Sequence, residues 1–176
     1  MVAGQARAVK GLGWAIVLIF EPKFLTSLVG EWIDDDRFRL TQELVYQSPI
    51  FRKQQFSAGV GKLIDCDGIL RIPKNFVTDF ASVPRVPIAY MLFGDRAHHE
   101  SVPHDYIYQT HIAPKAIADK MFLEAMGARG KPWYVRYPMY QGVVIGGGSS
   151  YRSGPERFLI LNSPQSTNEG KKENQK

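Results

Sequence analysis

The sequence predicts an α+β fold in which a small antiparallel sheet from the front half of the chain packs beside an antiparallel helix pair from the back half. Strand and hairpin signals lie before Pro73, and helical periodicity dominates after it. With 176 residues, of which 44% are hydrophobic and 22% charged, the chain can bury one core. We therefore expect a single domain over residues 38–148, an apolar arm over 1–33 and a flexible, disordered tail over 149–176.

The predicted N-terminal arm contains two apolar runs. Arg7 and Lys10 precede the run GLGWAIVLIF over 11–20, which imitates the start of a signal peptide. About ten apolar residues are too few to cross a bilayer, and no small-residue cleavage site follows them. Together with the second run over 24–32, they predict an uncleaved arm that packs on this chain or on a neighbouring subunit, with membrane contact as a minor alternative.

The strand signals come next in the chain. A β-prone segment over 38–46 ends at Ser48, and a second run over 59–72 is interrupted by Asp67 and Gly68, a dipeptide typical of hairpin turns. These patterns predict that the front half of the domain is mainly β.

A proline-rich stretch, RIPKNFVTDFASVPRVP over 71–87, follows the strands and predicts a rigid loop. Within it Asp79 or Ser82 can accept hydrogen bonds from nearby backbone N–H groups and so fix a turn or a helix start. Two interpretations stay open for Asp79. It either forms an Asx-type turn or presents its carboxylate to the same cleft as His104.

The back half of the domain predicts two helices. Ser101 is a suitable N-cap for the first, which puts His104 near the helix start, and the second is expected to run from about Pro114 to Met126. A connection of about five residues between two helices implies that they are antiparallel neighbours.

A candidate His/Asp site lies on this helix pair. His104 and Tyr108 are four residues apart and therefore share a helix face, while Asp119 is an isolated acid in an apolar run of the second helix, from which it can reach the His104 ring. A carboxylate beside a histidine fixes its tautomer and makes it a better base for activating water. The alternative is that His104 and Asp105 only satisfy a helix end. A His104 ring that faces a cleft would favour catalysis, and a ring sealed in the core would favour a structural role.

A metal site is a weaker hypothesis. Side chains able to bind calcium or zinc are present at His98, His99, His104, His111, Asp79 and Asp105. The HExxH pattern is absent, and adjacent histidines on a helix point in different directions. Asp105 and Asp79 are the candidate ligands, no cofactor is certain, and we expect His98, His99 and His111 to be exposed or capping.

Other classes of function are disfavoured by composition. The single Cys66 excludes an intramolecular disulfide framework and a cysteine metal site, as is typical of a protein made in a reducing compartment. The net charge of +5 is spread along the chain without a basic stripe, so nucleic acid is not an expected partner.

Four segments resemble a family of uncharacterised domains common in phage and prophage genomes. They are FVTDFASVP over 76–84, HDYIY over 104–108, the pair Ala118 and Asp119 with Phe122 and Met126, and the segment over 133–145. The resemblance covers roughly residues 38–148. It implies phage ancestry and names no reaction.

A second, partial resemblance concerns the helix pair alone. The order HDxxY, followed on the next helix by an acid and then by Phe three residues later, is similar to the two-helix core of secreted phospholipases A2 and of the phospholipase domain in parvovirus capsid proteins. The resemblance implies that His104 is the general base, that Asp119 orients it, that Tyr108 braces Asp119 and that Asp105 binds calcium. The glycine-rich calcium loop and the disulfides of the secreted enzymes have no counterpart in this sequence.

Two functions are therefore expected. The first is a phage virion or assembly component associated with the tail. It is assembled in the host cytoplasm and contacts other phage structural proteins or its own copies through the arm and the tail. The alternative is a small, metal-assisted phage hydrolase that cleaves esters or amides with His104 as general base. Both functions can reside in one protein.

Overall fold

The computed structural model describes residues 21–52, 67–80 and 98–162. In chain order the described elements are β1 (Lys23–Phe24), β2 (Gly30–Trp32), β3 (Phe38–Leu40), β4 (Leu44–Gln47), α1 (Pro49–Arg52), β5 (Ile69–Ile72), β6 (Val77–Thr78), α2 (His98–Thr110), α3 (Lys115–Ala128), α4 (Trp133–Gly146), α5 (Gly148–Arg152) and α6 (Gly154–Asn162). The fold is mixed α+β, as the sequence predicts. The apolar segment over 87–93, which predicts a short helix ending at Gly94, lies outside the described residues.

The strands form two small antiparallel sheets rather than one. Their orders are β1–β4–β5 and β2–β3–β6. β4 is the central strand of the first sheet, where Leu44 pairs with Ile72 and Gln47 with Ile69. Gly68 precedes β5 with φ +73, and a Cβ on it would lie 2.5 Å from the carbonyl oxygen of Ser48, so this turn requires glycine.

Part of the predicted N-terminal arm belongs to these sheets. β1 pairs with β4, and β2 pairs with β3, so residues 23–32 contribute two edge strands. The ring of Phe24 packs on that of Tyr46, with a centroid distance of 4.7 Å. Residues 23–32 therefore pack with the predicted domain, because the edges of β3 and β4 take their hydrogen-bond partners from this segment. Residues 1–20 of the arm lie outside the described residues.

α2 and α3 are joined by residues 111–114 and run antiparallel. Near the start of α2, Glu100 contacts Lys131 just beyond the end of α3, whereas His104 contacts Asp119 nearer the start of α3. α2 includes His98, so Ser101 lies inside the helix and is not its N-cap. α3 begins after Pro114, as the sequence predicts.

The predicted tail is helical over its first part. α5 and α6 pack on α2, and the ring of Phe158 stacks on that of Phe76 at 6.5 Å. Gly147, just before α5, allows close packing, because a Cβ on it would lie 2.5 Å from the Tyr108 hydroxyl. Residues 163–176 of the tail lie outside the described residues.

The main core lies between the sheets and α2. Its buried members include Leu40, Leu44, Tyr46, Leu70, Ile72, Phe76, Val102, Tyr106, Ile107 and Met121. A second, smaller cluster of Phe122, Met126 and Val143 joins α3 to α4. Among the described helices, none has the length and apolar character that crossing a membrane would require.

Candidate functional site

The candidate site is built on α2, the most deeply buried helix among the described residues. Every residue from Ser101 to Gln109 is buried. A helix buried on all sides is normally apolar, because burying polar groups without partners costs free energy. α2 nevertheless buries polar and ionisable side chains at Glu100, Ser101, His104, Asp105 and Gln109. The contacts of His104 and Asp105 define a polar network inside the domain, whereas the amide of Gln109 has no hydrogen-bond partner among the described residues.

His104 is at the centre of this network. Its side chain has 0% exposure, and its Nε2 lies 3.3 Å from Oδ1 of Asp119. The ring packs between the rings of Tyr108 and Phe122, at centroid distances of 4.0 Å and 5.1 Å. The fold therefore brings together His104, Tyr108 and Asp119, the three residues that the sequence suggests as catalytic.

Asp119 is held by two further donors. The hydroxyl of Tyr108 donates to Oδ1 at 2.6 Å, and Nζ of Lys115 donates to Oδ2 at 2.7 Å. Burial acts to raise the pKa of Asp119, but the hydrogen bonds from His104, Lys115 and Tyr108 outweigh it and leave the pKa below its ordinary value. Burial and the adjacent carboxylate raise the pKa of Tyr108. At neutral pH Asp119 is therefore an anion and Tyr108 a hydrogen-bond donor.

Lys115 is a member of the network that the sequence analysis missed. Besides Asp119, its Nζ donates to the carbonyl oxygens of Val143 at 2.9 Å and Val144 at 3.1 Å, near the end of α4. A cation at that position stabilises the helix terminus. The sequence does contain a signal for this contact, because Lys115 and Asp119 are four residues apart on one helix.

Asp105 lies on the other side of the His104 ring. Its Oδ1 is 4.0 Å from Nδ1 of His104, and its Oδ2 accepts a short hydrogen bond from the hydroxyl of Thr78 in β6. Asp105 is fully buried. The network therefore extends from β6 through α2 to α3, in the order Thr78, Asp105, His104, Asp119.

The two ring nitrogens of His104 have different surroundings. The contact with the ionised Asp119 assigns the proton of the neutral ring to Nε2, which leaves the lone pair on Nδ1. Nδ1 is buried and has no hydrogen-bond partner among the described residues. A buried nitrogen with an unused lone pair is costly for a purely structural group, and it is the atom that a general base needs.

The predicted metal ligands do not form a cluster in the described part of the chain. No group of three His, Cys, Asp or Glu side chains able to hold a metal occurs there. Asp79 is half-buried and directly follows Thr78. His111 is exposed, with Nε2 at 2.6 Å from the carbonyl oxygen of Tyr151.

His99 differs from the expectation that it is exposed or capping. It is half-buried, and its ring packs edge-on against Phe24 at 4.4 Å. Burial, together with the charge of Arg129, lowers the pKa of His99 to about 4. It is therefore neutral at pH 7 and belongs to the contact between β1 and α2.

Comparison with known families identifies part of the chain. Residues 62–143 match the family described as "Protein of unknown function (DUF1353)". These residues form a DUF1353 domain. No curated protein and no solved structure shows significant similarity to the chain.

The DUF1353 domain contains the whole polar network. Its limits enclose β5, β6, α2, α3 and most of α4, and so include Thr78, His104, Asp105, Tyr108, Lys115 and Asp119. β1 to β4 lie before the domain and α6 after it. The flanking segments contribute packing partners such as Phe24 and Tyr46 for residues near the network.

Proposed function

We propose that the protein is a small hydrolase in which His104 is the general base. The observation that carries the proposal is the difference between the two ring nitrogens. Nε2 is held by the ionised Asp119, and Nδ1 has no hydrogen-bond partner among the described residues. Such an arrangement keeps the lone pair of Nδ1 ready to accept a proton.

The reaction we propose is the hydrolysis of an ester, the class implied by the resemblance to phospholipases A2. A water molecule donates a hydrogen bond to Nδ1 of His104. As its oxygen bonds to the carbonyl carbon, Nδ1 takes the proton, and the imidazolium is stabilised by Asp119. The bond from the carbonyl carbon to the leaving oxygen then breaks, and the proton passes from Nδ1 to that oxygen.

Tyr108 and Lys115 act as positioning residues in this proposal. Their hydrogen bonds fix the Asp119 carboxylate at 2.6 Å and 2.7 Å and keep it ionised. Asp119 is therefore prepared for the positive charge that develops on His104, without reorganisation during the reaction.

Calcium or zinc, which the sequence suggests at Asp105 and Asp79, fits the described residues poorly. They offer no group of three metal-binding side chains, and Oδ2 of Asp105 already accepts from Thr78. The steps of the proposed reaction therefore use only the side chains of the network and a water molecule. Asp105 instead faces the proposed water from the side opposite Asp119.

A second candidate function is supported by the complete burial of His104. A ring with 0% exposure is sealed in the core, the arrangement that favours a structural role, so hydrolysis requires the site to open. In the alternative, the His104–Asp119 pair stabilises the core of a phage virion or assembly component, associated with the tail. Its N-terminal arm and C-terminal tail would contact other phage structural proteins or further copies. The phage association rests on the sequence resemblance.

The two candidates are separated by substitution of His104. The wild type, His104→Asn and His111→Asn are compared on lipid, ester and peptidoglycan substrates, with and without calcium or zinc. His111 is a matched control because it is outside the network and has φ +53, a conformation that asparagine tolerates. As a hydrolase, the protein loses about 10²- to 10⁴-fold activity in His104→Asn and keeps it in His111→Asn. Absence of wild-type turnover, with a large drop in the Tm of His104→Asn, would support the assembly component instead.

A further inference from the structure

α4 exposes a continuous apolar stripe. Its exposed large apolar residues are Trp133 (69%), Tyr134 (55%), Tyr137 (48%), Val144 (40%) and Ile145 (83%). At 100° per residue, these five fall with Pro138 and Gln141 within about 140° of the helix circumference. Gln141 is the one polar residue of this stripe, which carries no charge.

The opposite side of α4 carries buried apolar side chains beside one cation, Arg136. Val135 and Val143 are buried, and Val143 belongs to the small core with Phe122 and Met126. A surface helix normally turns a polar face to water, and a helix that is apolar on both sides is normally buried. An exposed apolar patch of this kind marks a surface that is covered by an interaction.

The chain around the stripe is positively charged. Residues 125–155 contain no Asp or Glu, but they contain Arg129, Lys131, Arg136 and Arg152. Arg129, before α4, and Arg152, after it, are both exposed. Lys131 is compensated, since it pairs with the buried Glu100 at 3.3 Å. Along the chain, the exposed charges nearest to the stripe on either side are therefore cationic, and the first exposed acid after Arg152 is Glu156.

We propose that α4 binds an anionic membrane surface and lies in the plane of the lipid headgroups. Trp and Tyr side chains favour the boundary between headgroups and acyl chains, and aliphatic side chains such as Val144 and Ile145 favour the acyl side. Exposed arginines at the two ends attract anionic headgroups. α4 is about 21 Å long at 1.5 Å per residue, and it lies on the membrane without crossing it.

Other occupants fit this surface less well. A second copy would bring the Arg129 and Arg152 side chains of two chains close to one another, where like charges repel. A nucleic acid would need cations within the stripe, which is uncharged, and its bases do not stack on Val144 or Ile145. The proposal does not depend on hydrolysis by His104, because binding to a membrane is measured without turnover.

The test is flotation of the full chain with vesicles. Vesicles of phosphatidylcholine alone are compared with vesicles in which phosphatidylglycerol is added. The double variant Trp133→Ser/Ile145→Ser is expected to bind the anionic vesicles at least about tenfold more weakly than the wild type. Leu159→Ser is the matched control, since Leu159 is 69% exposed on α6, outside the stripe, and it should bind as the wild type does.

The charge requirement is tested separately. Arg129→Gln/Arg152→Gln is expected to lose the preference for anionic vesicles, and added salt should weaken wild-type binding. Absence of wild-type binding, or equal binding of the Trp133→Ser/Ile145→Ser variant, would overturn the proposal. So would wild-type dimers in sedimentation that this variant abolishes without any vesicle binding, because the stripe would then join two copies. Far-UV circular dichroism of each variant verifies that it is folded.

Discussion

α2 and α4 each place side chains in the environment that does not suit them. α2 buries polar side chains, and α4 exposes apolar ones. α2 is buried, yet it carries Glu100, His104 and Asp105, whereas α4 exposes Trp133 and Ile145 to solvent. Each arrangement costs free energy in an isolated chain, the first by desolvating polar groups and the second by hydrating apolar ones. We propose that the difference reflects two kinds of function, chemistry inside the domain at α2 and binding at its surface on α4. The predictions below separate these roles.

The largest expected effect is on catalysis by the pair His104 and Asp119. If the two act as one unit, Asp119→Asn and His104→Asn each lose most of the activity, and the double variant loses little more. Rates of ester hydrolysis by the wild type, the two single variants and the double variant test this. Multiplied losses in the double variant would mean that the residues act independently, contrary to the proposed mechanism.

The second prediction concerns the internal cation of the network. Lys115→Met removes a donor from one Asp119 oxygen and from the carbonyls of Val143 and Val144, of which Val143 still accepts from the N–H of Gly147. It should reduce the free energy of unfolding by about 1 to 3 kcal/mol. Urea unfolding measures it. Lys120→Met is the control, because Lys120 is exposed on the same helix. An equal effect of both substitutions would remove Lys115 from the network.

The sequence predicts those contacts of the network that join residues close to one another along the chain, and it misses those between distant residues. His104, Tyr108 and Asp119 could be grouped because helical periodicity is local and the connection between the helices is short. The contact between Lys115 and Asp119 could also have been predicted, because the two residues are four apart on one helix. The contact between Thr78 and Asp105 joins residues 27 apart and leaves no periodic signal.

The fold shows the same limit. The longer strands and both helices of the pair follow from local patterns, whereas β1 and β2 are two and three residues long and form because β4 and β3 offer open edges. Gly147 is required by the approach of the Tyr108 hydroxyl, a contact that the run of glycines around it does not predict. Such roles depend on tertiary neighbours that spacing does not reveal.

The third prediction uses pH to examine the contact between β1 and α2. Because the pKa of His99 falls from 6.5 to about 4 on folding, only the unfolded chain binds this proton between those values. Stability should therefore rise with pH across this window, by about 1 to 3 kcal/mol. In His99→Phe, which keeps a ring against Phe24, this contribution should be absent. Urea unfolding at pH 4 and pH 7 compares the two proteins, and an equal pH dependence would contradict the assignment.

The smallest expected effect is on the stability of α4 variants. Trp133→Ser and Ile145→Ser replace side chains that are 69% and 83% exposed, so each should change the free energy of unfolding by no more than about 0.5 kcal/mol. Val143→Ser, on the buried side of the same helix, should cost several times more, since it creates a cavity and buries a hydroxyl in the small core with Phe122. Thermal unfolding of the three variants measures this difference within one helix. A large loss of stability in Ile145→Ser would mean that the exposed stripe is covered within the chain itself, and that it is not available to a membrane.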